Sequence, residues 1–295
     1  CFMNFRTDLA LERAEDLNEN VRGIKKYERK GESTKTTVIE VTSENAAKAI
    51  GKPCGKYITV ETKPFSEESD VFDGRLSELV LCLRELLPEK NGLVLVAGVG
   101  NPDITSDALG PFFSSKIFST RHISDELKKA VGFSKDLRAV AAVSTGVLGQ
   151  TGLESSEYIK YIADGIKPDC IITVDALAAR SLSRLGCTVQ LSNTGIAPGS
   201  GVGNSRKRID EEYIGVPVIA VGVPTVVGAS VLAGELLGDE NGGRLKSVLS
   251  KRGADMTVTP KDIDLLIKNA AYLLALSVNC ALQPTLSPEE IAGLM

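Results

Sequence analysis

The sequence predicts a doubly wound α/β fold: a mostly parallel sheet with helices on both faces and an N-terminal extension packed on the core. Three observations carry this. Four short apolar runs (residues 93–97, 140–143, 171–174 and 218–221, the third with Thr173 inside it) have the composition of strands buried on both faces. Stretches of helical periodicity separate them, the alternation that builds parallel sheets. Each run also opens into a segment rich in Gly, Asn, Asp, Ser or Thr, and open α/β sheets gather ligands at these carboxyl ends.

Taken in order, residues 8–20 predict a helix and 25–35 a polar stretch with no clear period. Residues 37–41 and 57–61 are short β-branched runs and predict strands. Between 67 and 87, Val71, Leu76, Leu79, Val80, Leu83, Leu86 and Leu87 recur at helical spacing, and Pro88 ends the pattern. Beyond the first core strand, helices are expected over 108–118, 154–166 and 226–237. A further strand is expected at 187–191. Thr259-Pro260-Lys261-Asp262 starts a last helix that runs to about Ala281, with Ile263, Leu266, Ile267, Ala270, Leu273 and Leu274 on one face. No internal repeat or low-complexity segment interrupts the chain. One domain over 1–295 is expected, with an N-terminal part (9–90), a catalytic α/β core (91–282) and a C-terminal tail (283–295).

Composition excludes several classes. The chain has 295 residues, 43% hydrophobic and 24% charged, which rules out disordered, collagenous and coiled-coil proteins. Its 34 basic and 38 acidic residues give a net charge of −4, no footprint for direct nucleic-acid binding. The apolar runs fall short of the roughly 18–20 residues a membrane span needs, and no secretory pattern opens the chain. Six scattered cysteines without a C-x-x-C pair read as reduced thiols of a cytoplasmic protein. His122 is the only histidine, so a three-histidine zinc site is impossible, and a Ser–His or Cys–His pair would depend on it alone.

The chemistry points to Asp107 and Asp175. Each follows a buried strand and neither sits in a solvated charge run. If the two strands are neighbours, the carboxyls face one crevice, and two close carboxyls share a proton. One can then activate water while the other protonates or polarises a carbonyl. The competing expectation is a helix cap for Asp107 and a turn for Asp175. Gly98-x-Gly100 resembles a dinucleotide fingerprint, but Asp103 stands where its third glycine belongs, which disfavours a nucleotide-binding module. Gly199-x-Gly201-x-Gly203 lacks the ending of a phosphate loop. Arg206-Lys207-Arg208 reads as a solvated face or as positive charge for an acidic side chain.

Several stretches resemble the germination proteases of endospore-forming bacteria, which degrade small acid-soluble spore proteins. They include Phe5-Arg6-Thr7-Asp8-Leu9-Ala10, Gly100-Asn101 through Asp107-Ala108-Leu109-Gly110-Pro111, and Gly149-Gln150-Thr151-Gly152-Leu153-Glu154. Val174-Asp175-Ala176-Leu177-Ala178-Ala179-Arg180, Asn193-Thr194-Gly195-Ile196 and residues 215–227 continue the likeness in one order along nearly the whole chain. The resemblance implies a fold similar to hydrogenase-maturation endopeptidases and an endopeptidase made as a self-processing zymogen and assembled as a homotetramer. It places the catalytic carboxylates on Asp107 and Asp175. It implies cleavage after an acidic residue and before a hydrophobic residue followed by Ala. Asp8-Leu9-Ala10 has that form, so self-cleavage is expected between Asp8 and Leu9, with residues 1–8 as propeptide. Asn101, Arg180, Thr194 and Arg206 are the expected substrate-binding residues; a guanidinium fork suits the acidic side chain. No cofactor and no metal are expected. The alternatives are a metal-assisted endopeptidase on the same carboxylates, completed by Asn101 or a carbonyl, and an inactive homologue that binds spore proteins. Spore proteins are the expected partners, the forespore and spore cytoplasm the expected location.

Overall fold

The computed structural model describes residues 7–15, 17, 21–67, 70–123, 136–203, 206–238 and 256–295. The chain begins with α1 (Ala10–Glu15), β1 (Ile24–Lys30), β2 (Lys35–Val41), α2 (Glu44–Ile50), β3 (Gly55–Glu61) and α3 (Arg75–Leu86). It continues through β4 (Val94–Gly98), α4 (Leu109–Ser114), β5 (Val140–Ser144), α5 (Leu148–Thr151), α6 (Ser155–Ile166), β6 (Cys170–Ala179) and β7 (Thr188–Ser192). Last come α7 (Glu211–Ile214), β8 (Val218–Gly228), α8 (Ala229–Leu237), β9 (Thr257–Val258), α9 (Ile263–Leu282) and α10 (Pro288–Leu294).

The four apolar runs form the predicted core: β8, β6, β4 and β5 lie side by side, all parallel. Along β4, Val94 and Val96 join one hydrophobic cluster with α3, α4 and α9, while Leu95 and Ala97 join another with Ile159 of α6. This two-faced burial is why the run is apolar throughout. The N-terminal extension packs on this core by continuing its sheet. β3 pairs antiparallel with β7, and β7 pairs antiparallel with β8, giving the order β1-β2-β3-β7-β8-β6-β4-β5 with β9 on β8.

Some elements differ from expectation for identifiable reasons. The polar stretch 25–35 contains β1 and the start of β2. β1 is the sheet's edge and keeps Lys25, Lys26, Tyr27 and Glu28 in solvent, so it carries no apolar period; lysines on an edge also deter pairing with other chains. α1 ends at Glu15, short of the predicted 8–20; residues 16 and 18–20 lie outside the described residues. α2 was not foreseen. It has Ser43 as N-cap and Gly51 in the left-handed conformation at its C-terminus. The helix expected from 67 starts only at Arg75. That expected from 226 starts at Ala229, because Val226 and Val227 still pair with Ala178 and Ala179.

The last helix matches the sequence closely. α9 is the one described helix long and apolar enough to cross a membrane, and most of it is buried, against α3 and α4. His122 is exposed. The described cysteines are free, and burial pushes the Cys82 and Cys170 thiols up to about 12, far from reactive thiolates.

Candidate active site

β4 ends at Gly98, but β6 beside it runs on to Ala179 with β8 as its remaining partner. Asp175 is the first residue of β6 past β4's end, so its side chain stands where the sheet opens. The loop from β4 turns back at Val99, whose N–H donates to the Val174 carbonyl at 2.8 Å. Gly100 has φ +131°, and a Cβ there would lie 2.0 Å from the Asp107 carbonyl oxygen. A Cβ on Gly110 would strike the Val99 backbone at 2.2 Å. The Gly-rich signature after β4 is therefore a packing device that folds residues 99–110 tightly on themselves. A short 3₁₀ turn, Thr105–Asp107, then delivers Asp107, and Thr225 of β8 donates its hydroxyl to the Ser106 carbonyl at 2.6 Å.

Asp107 is not the cap of α4. Its Oδ2 accepts from the Asn101 backbone N–H at 2.8 Å, closing the loop, and it lines a cleft of about 390 Å³ together with Asp175. Asp175 is 4% exposed and its Oδ1 accepts from the Ala176 N–H at 2.9 Å. Burial pushes both carboxyls up. For Asp175 the push is large and is reinforced by the negative charges of Asp107 and Asp8; Arg206 works in the opposite direction on both. Each carboxyl therefore retains its proton to higher pH than a free carboxylate, Asp175 more so than Asp107.

Asp8 reaches the same cleft from the N-terminal segment. Its N–H donates to the Ala178 carbonyl at 3.0 Å, and its carboxylate accepts from the Ala178 N–H at 2.9 Å and the Ser200 hydroxyl at 2.6 Å. Leu9 and Ala10 beyond it are wholly buried. Glu12 fastens this segment to the end of β6: its carboxylate accepts from the Arg180 N–H at 2.8 Å and the Ser181 N–H at 3.0 Å.

The other expected residues fall in different places. Arg206 lines the carboxylate cleft and faces Glu154 at 3.8 Å. Asn101 acts on Asp107 through its backbone, while its side-chain oxygen accepts from Asp103 and Gln150. Arg180 donates to the Glu12 carbonyl at 2.9 Å and lines neither this cleft nor the next. Thr194 lines a second pocket of about 290 Å³ on the far side of Asp8, with Arg13, Lys52, Tyr57, Gln190 and Arg208. Sequence reasoning missed Lys52, Gln190 and Ser200. Gln190 had a readable signal: it is a lone amide in a strand that is buried at every position.

Among the described residues, no three His, Cys, Asp or Glu side chains cluster in a way that could hold a metal ion. What the cleft offers is a buried carboxyl and a half-buried one at the open end of a parallel sheet, the first raised partly by the charge of the second. Such an arrangement can take a proton from water and give one to a leaving group.

A family model described as germination protease matches residues 5–237. The germination protease of Caldanaerobacter subterraneus subsp. tengcongensis is 40% identical, the alignment covering 99% of this chain and 98% of that one. That of Clostridium perfringens is 38% identical over 98% of each. That of Bacillus cereus is 32% identical over 94% of this chain and 93% of its own. A NiFe hydrogenase maturation protease, HycI from Thermococcus kodakarensis, overlays on 67% of this chain and 98% of its own, with a TM-score of 0.37 and 14% identity. The protein is thus a peptidase, a hydrolase of peptide bonds. It belongs to the germination protease family, whose work is proteolysis in spore germination.

Proposed function

We propose that the chain is the endopeptidase that begins degradation of small acid-soluble spore proteins, cutting after an acidic residue and before a hydrophobic residue followed by Ala. The observation that carries this reading is the pairing of Asp107 with Asp175 in one cleft, the second raised partly by the charge of the first. In the singly protonated pair, the ionised carboxyl takes a proton from water as its oxygen attacks the peptide carbonyl carbon. The protonated one donates to the leaving nitrogen as the tetrahedral intermediate collapses. Raised affinity for that shared proton keeps the acid available at higher pH than a free carboxyl would allow.

The chain is a zymogen that cuts itself between Asp8 and Leu9, with residues 1–8 as the propeptide. Support comes from the acidic-hydrophobic-Ala pattern of Asp8-Leu9-Ala10 and from Asp8 lining the carboxylate cleft. While Asp8 remains, its carboxylate fills part of the cleft and adds a negative charge to that of the carboxyl pair. Arg206 is the cation positioned for an acidic substrate side chain. The working form is a homotetramer in the forespore and spore cytoplasm, checked by light scattering of the purified chain.

The test is cleavage of a peptide containing Glu-Phe-Ala-Ser by the N-terminally trimmed protein, beside Asp107→Asn and Asp175→Asn, with and without chelator. Loss of cleavage in both folded variants, unaffected by chelator, is expected. Full activity in either variant ends the dyad. Activity lost to chelator and restored by one divalent ion replaces it with metal-assisted hydrolysis at the same carboxylates.

A further inference from the structure

The carbonyl oxygen of Asp8, which belongs to the bond proposed for self-cleavage, is already held by two donors. Lys52 Nζ donates to it at 2.8 Å and Gln190 Nε2 at 2.9 Å. The two arrive from different parts of the fold: Lys52 from the turn after α2, Gln190 from the middle of β7. Gln190 is itself oriented, because its Oε1 accepts from the Ala10 N–H at 2.5 Å. One amide thus grips the chain on both sides of the Asp8–Leu9 bond. On the leaving side, the Leu9 N–H donates to the Thr7 hydroxyl at 3.0 Å.

We propose that Lys52 and Gln190 are catalytic residues of self-processing, the pair that receives the oxyanion formed when the Asp8–Leu9 bond is attacked. The proposal rests on the self-processing reading above. The water oxygen bonds to the Asp8 carbonyl carbon and gives up a proton to the ionised carboxyl of the Asp107–Asp175 pair. The protonated member of that pair later supplies the leaving nitrogen; Asp8 lines that cleft too. The C=O electron pair moves onto the oxygen facing Lys52 and Gln190. On collapse, the C–N bond breaks and the Leu9 nitrogen takes up a proton, leaving a carboxylate on Asp8 and an amine on Leu9. One water is consumed and nothing is oxidised or reduced. A fixed ammonium and a fixed amide N–H strengthen their hold as the neutral carbonyl oxygen becomes negative, the condition for lowering a barrier rather than only binding.

The surroundings fit this role. Arg13 of α1, Arg208 before α7 and Tyr57 of β3 line the same pocket, while Asp8 is the anionic neighbour. Burial, together with the charges of Arg13 and Arg208, lowers the Lys52 ammonium to about 8; Asp8 opposes this. Lys52 therefore carries its charge at neutral pH and sheds it in mild alkali, which gives a readout that a merely structural lysine would lack.

The experiment follows the mass of the full chain during activation between pH 6 and pH 10. It compares wild type with Lys52→Met, Lys52→Arg and Gln190→Leu, each checked for a cooperative thermal melt. Expected are cleavage between Asp8 and Leu9 in wild type and a slowing of about 100-fold in Lys52→Met, the typical cost of one oxyanion donor. Gln190→Leu is expected to slow by at least about tenfold, with one donor of the pair remaining. Wild-type processing is expected to fall as pH rises through about 8. Lys52→Arg, which stays charged, is expected to hold its rate to higher pH. Processing of folded Lys52→Met at the wild-type rate overturns the proposal alone. So does an alkaline fall-off identical in wild type and Lys52→Arg, an outcome that counts even if Lys52→Met does not fold. A wild-type chain that stays intact at Asp8, or is cut elsewhere, overturns the self-processing reading and this proposal with it.

Discussion

Asp8 stands between two cavities of opposite character. On one side Asp107 and Asp175 face Arg206; on the other Lys52 lies among Arg13, Arg208 and Tyr57. Burial acts on both in the same sense, toward the uncharged form: it raises the two carboxyls and lowers the lysine. The outcome differs because the neighbours differ. The carboxyls sit beside like charge, so a proton is retained between them. Lys52 sits beside like charge too, but it touches a carbonyl oxygen and the carboxylate-bearing Asp8, and it keeps its proton up to about 8. One cavity therefore favours keeping a proton to give, while the other holds a positive charge at neutral pH to stabilise an anion.

The largest expected effect tests the acidic side. Asp107→Asn or Asp175→Asn preserves shape and hydrogen-bonding capacity but removes the exchangeable proton, and each is expected to lower peptide cleavage about 1,000-fold or more. The trimmed enzyme assayed at saturating peptide gives the number directly. A loss under tenfold in either variant would break the contrast, since the cleft would then lack a working pair.

Next comes the segment that joins the cavities. Leu9 has no exposed surface and packs into the cluster that contains Ala97, Leu177 and Val227. Leu9→Ala in the full chain is expected to cost about 2–4 kcal/mol, as for other buried leucines. Urea unfolding at unchanged m-value measures it. A cost below about 1 kcal/mol would mean that Leu9 is not an anchor and that Asp8 is not held between the two sides.

A smaller effect sharpens the electrostatic difference. Arg206 lowers both Asp107 and Asp175. In Arg206→Met that influence is gone and both carboxyls rise. The pH–rate profile of the trimmed enzyme is then expected to move toward alkaline pH by up to about one unit, or ~1.4 kcal/mol. A shift toward acid, or none, would show that Arg206 does not act on the pair.

The acidic cavity was legible in the sequence and the basic one was not, for a physical reason. Asp107 and Asp175 follow buried strands of a parallel core, and such strands announce themselves as short apolar runs whose carboxyl ends share a crevice. Lys52 and Gln190 come from the antiparallel extension, where position depends on long-range pairing: β7 must seat between β3 and β8 before Gln190 meets Asp8. β1 was invisible because it is a charged edge. Arg180 is expected at the acidic side chain because a guanidinium fork suits a carboxylate, yet its guanidinium reaches the Glu12 carbonyl rather than either cavity.

The last test asks what burial of the acidic side costs the fold. The folded-state pKa of Asp175 is raised well above its unfolded value, so the native state holds a proton that the unfolded chain has already lost. Below the unfolded value near pH 4, that stabilising contribution is fully present. As pH rises toward the raised native value, native-state stability falls, and beyond it the loss is complete. Asn at position 175 never ionises. Asp175→Asn is therefore expected to match wild type near pH 4 and to become progressively more stable than wild type as pH rises, levelling off once wild-type Asp175 is ionised in the native state. Thermal melts across this range measure the divergence. Curves that stay parallel from pH 4 to 8 would mean that Asp175 titrates like an exposed carboxylate, and the proton on which the acidic cavity depends would not be there. Divergence paired with lost activity would show one residue trading stability for chemistry, as a buried functional carboxyl must.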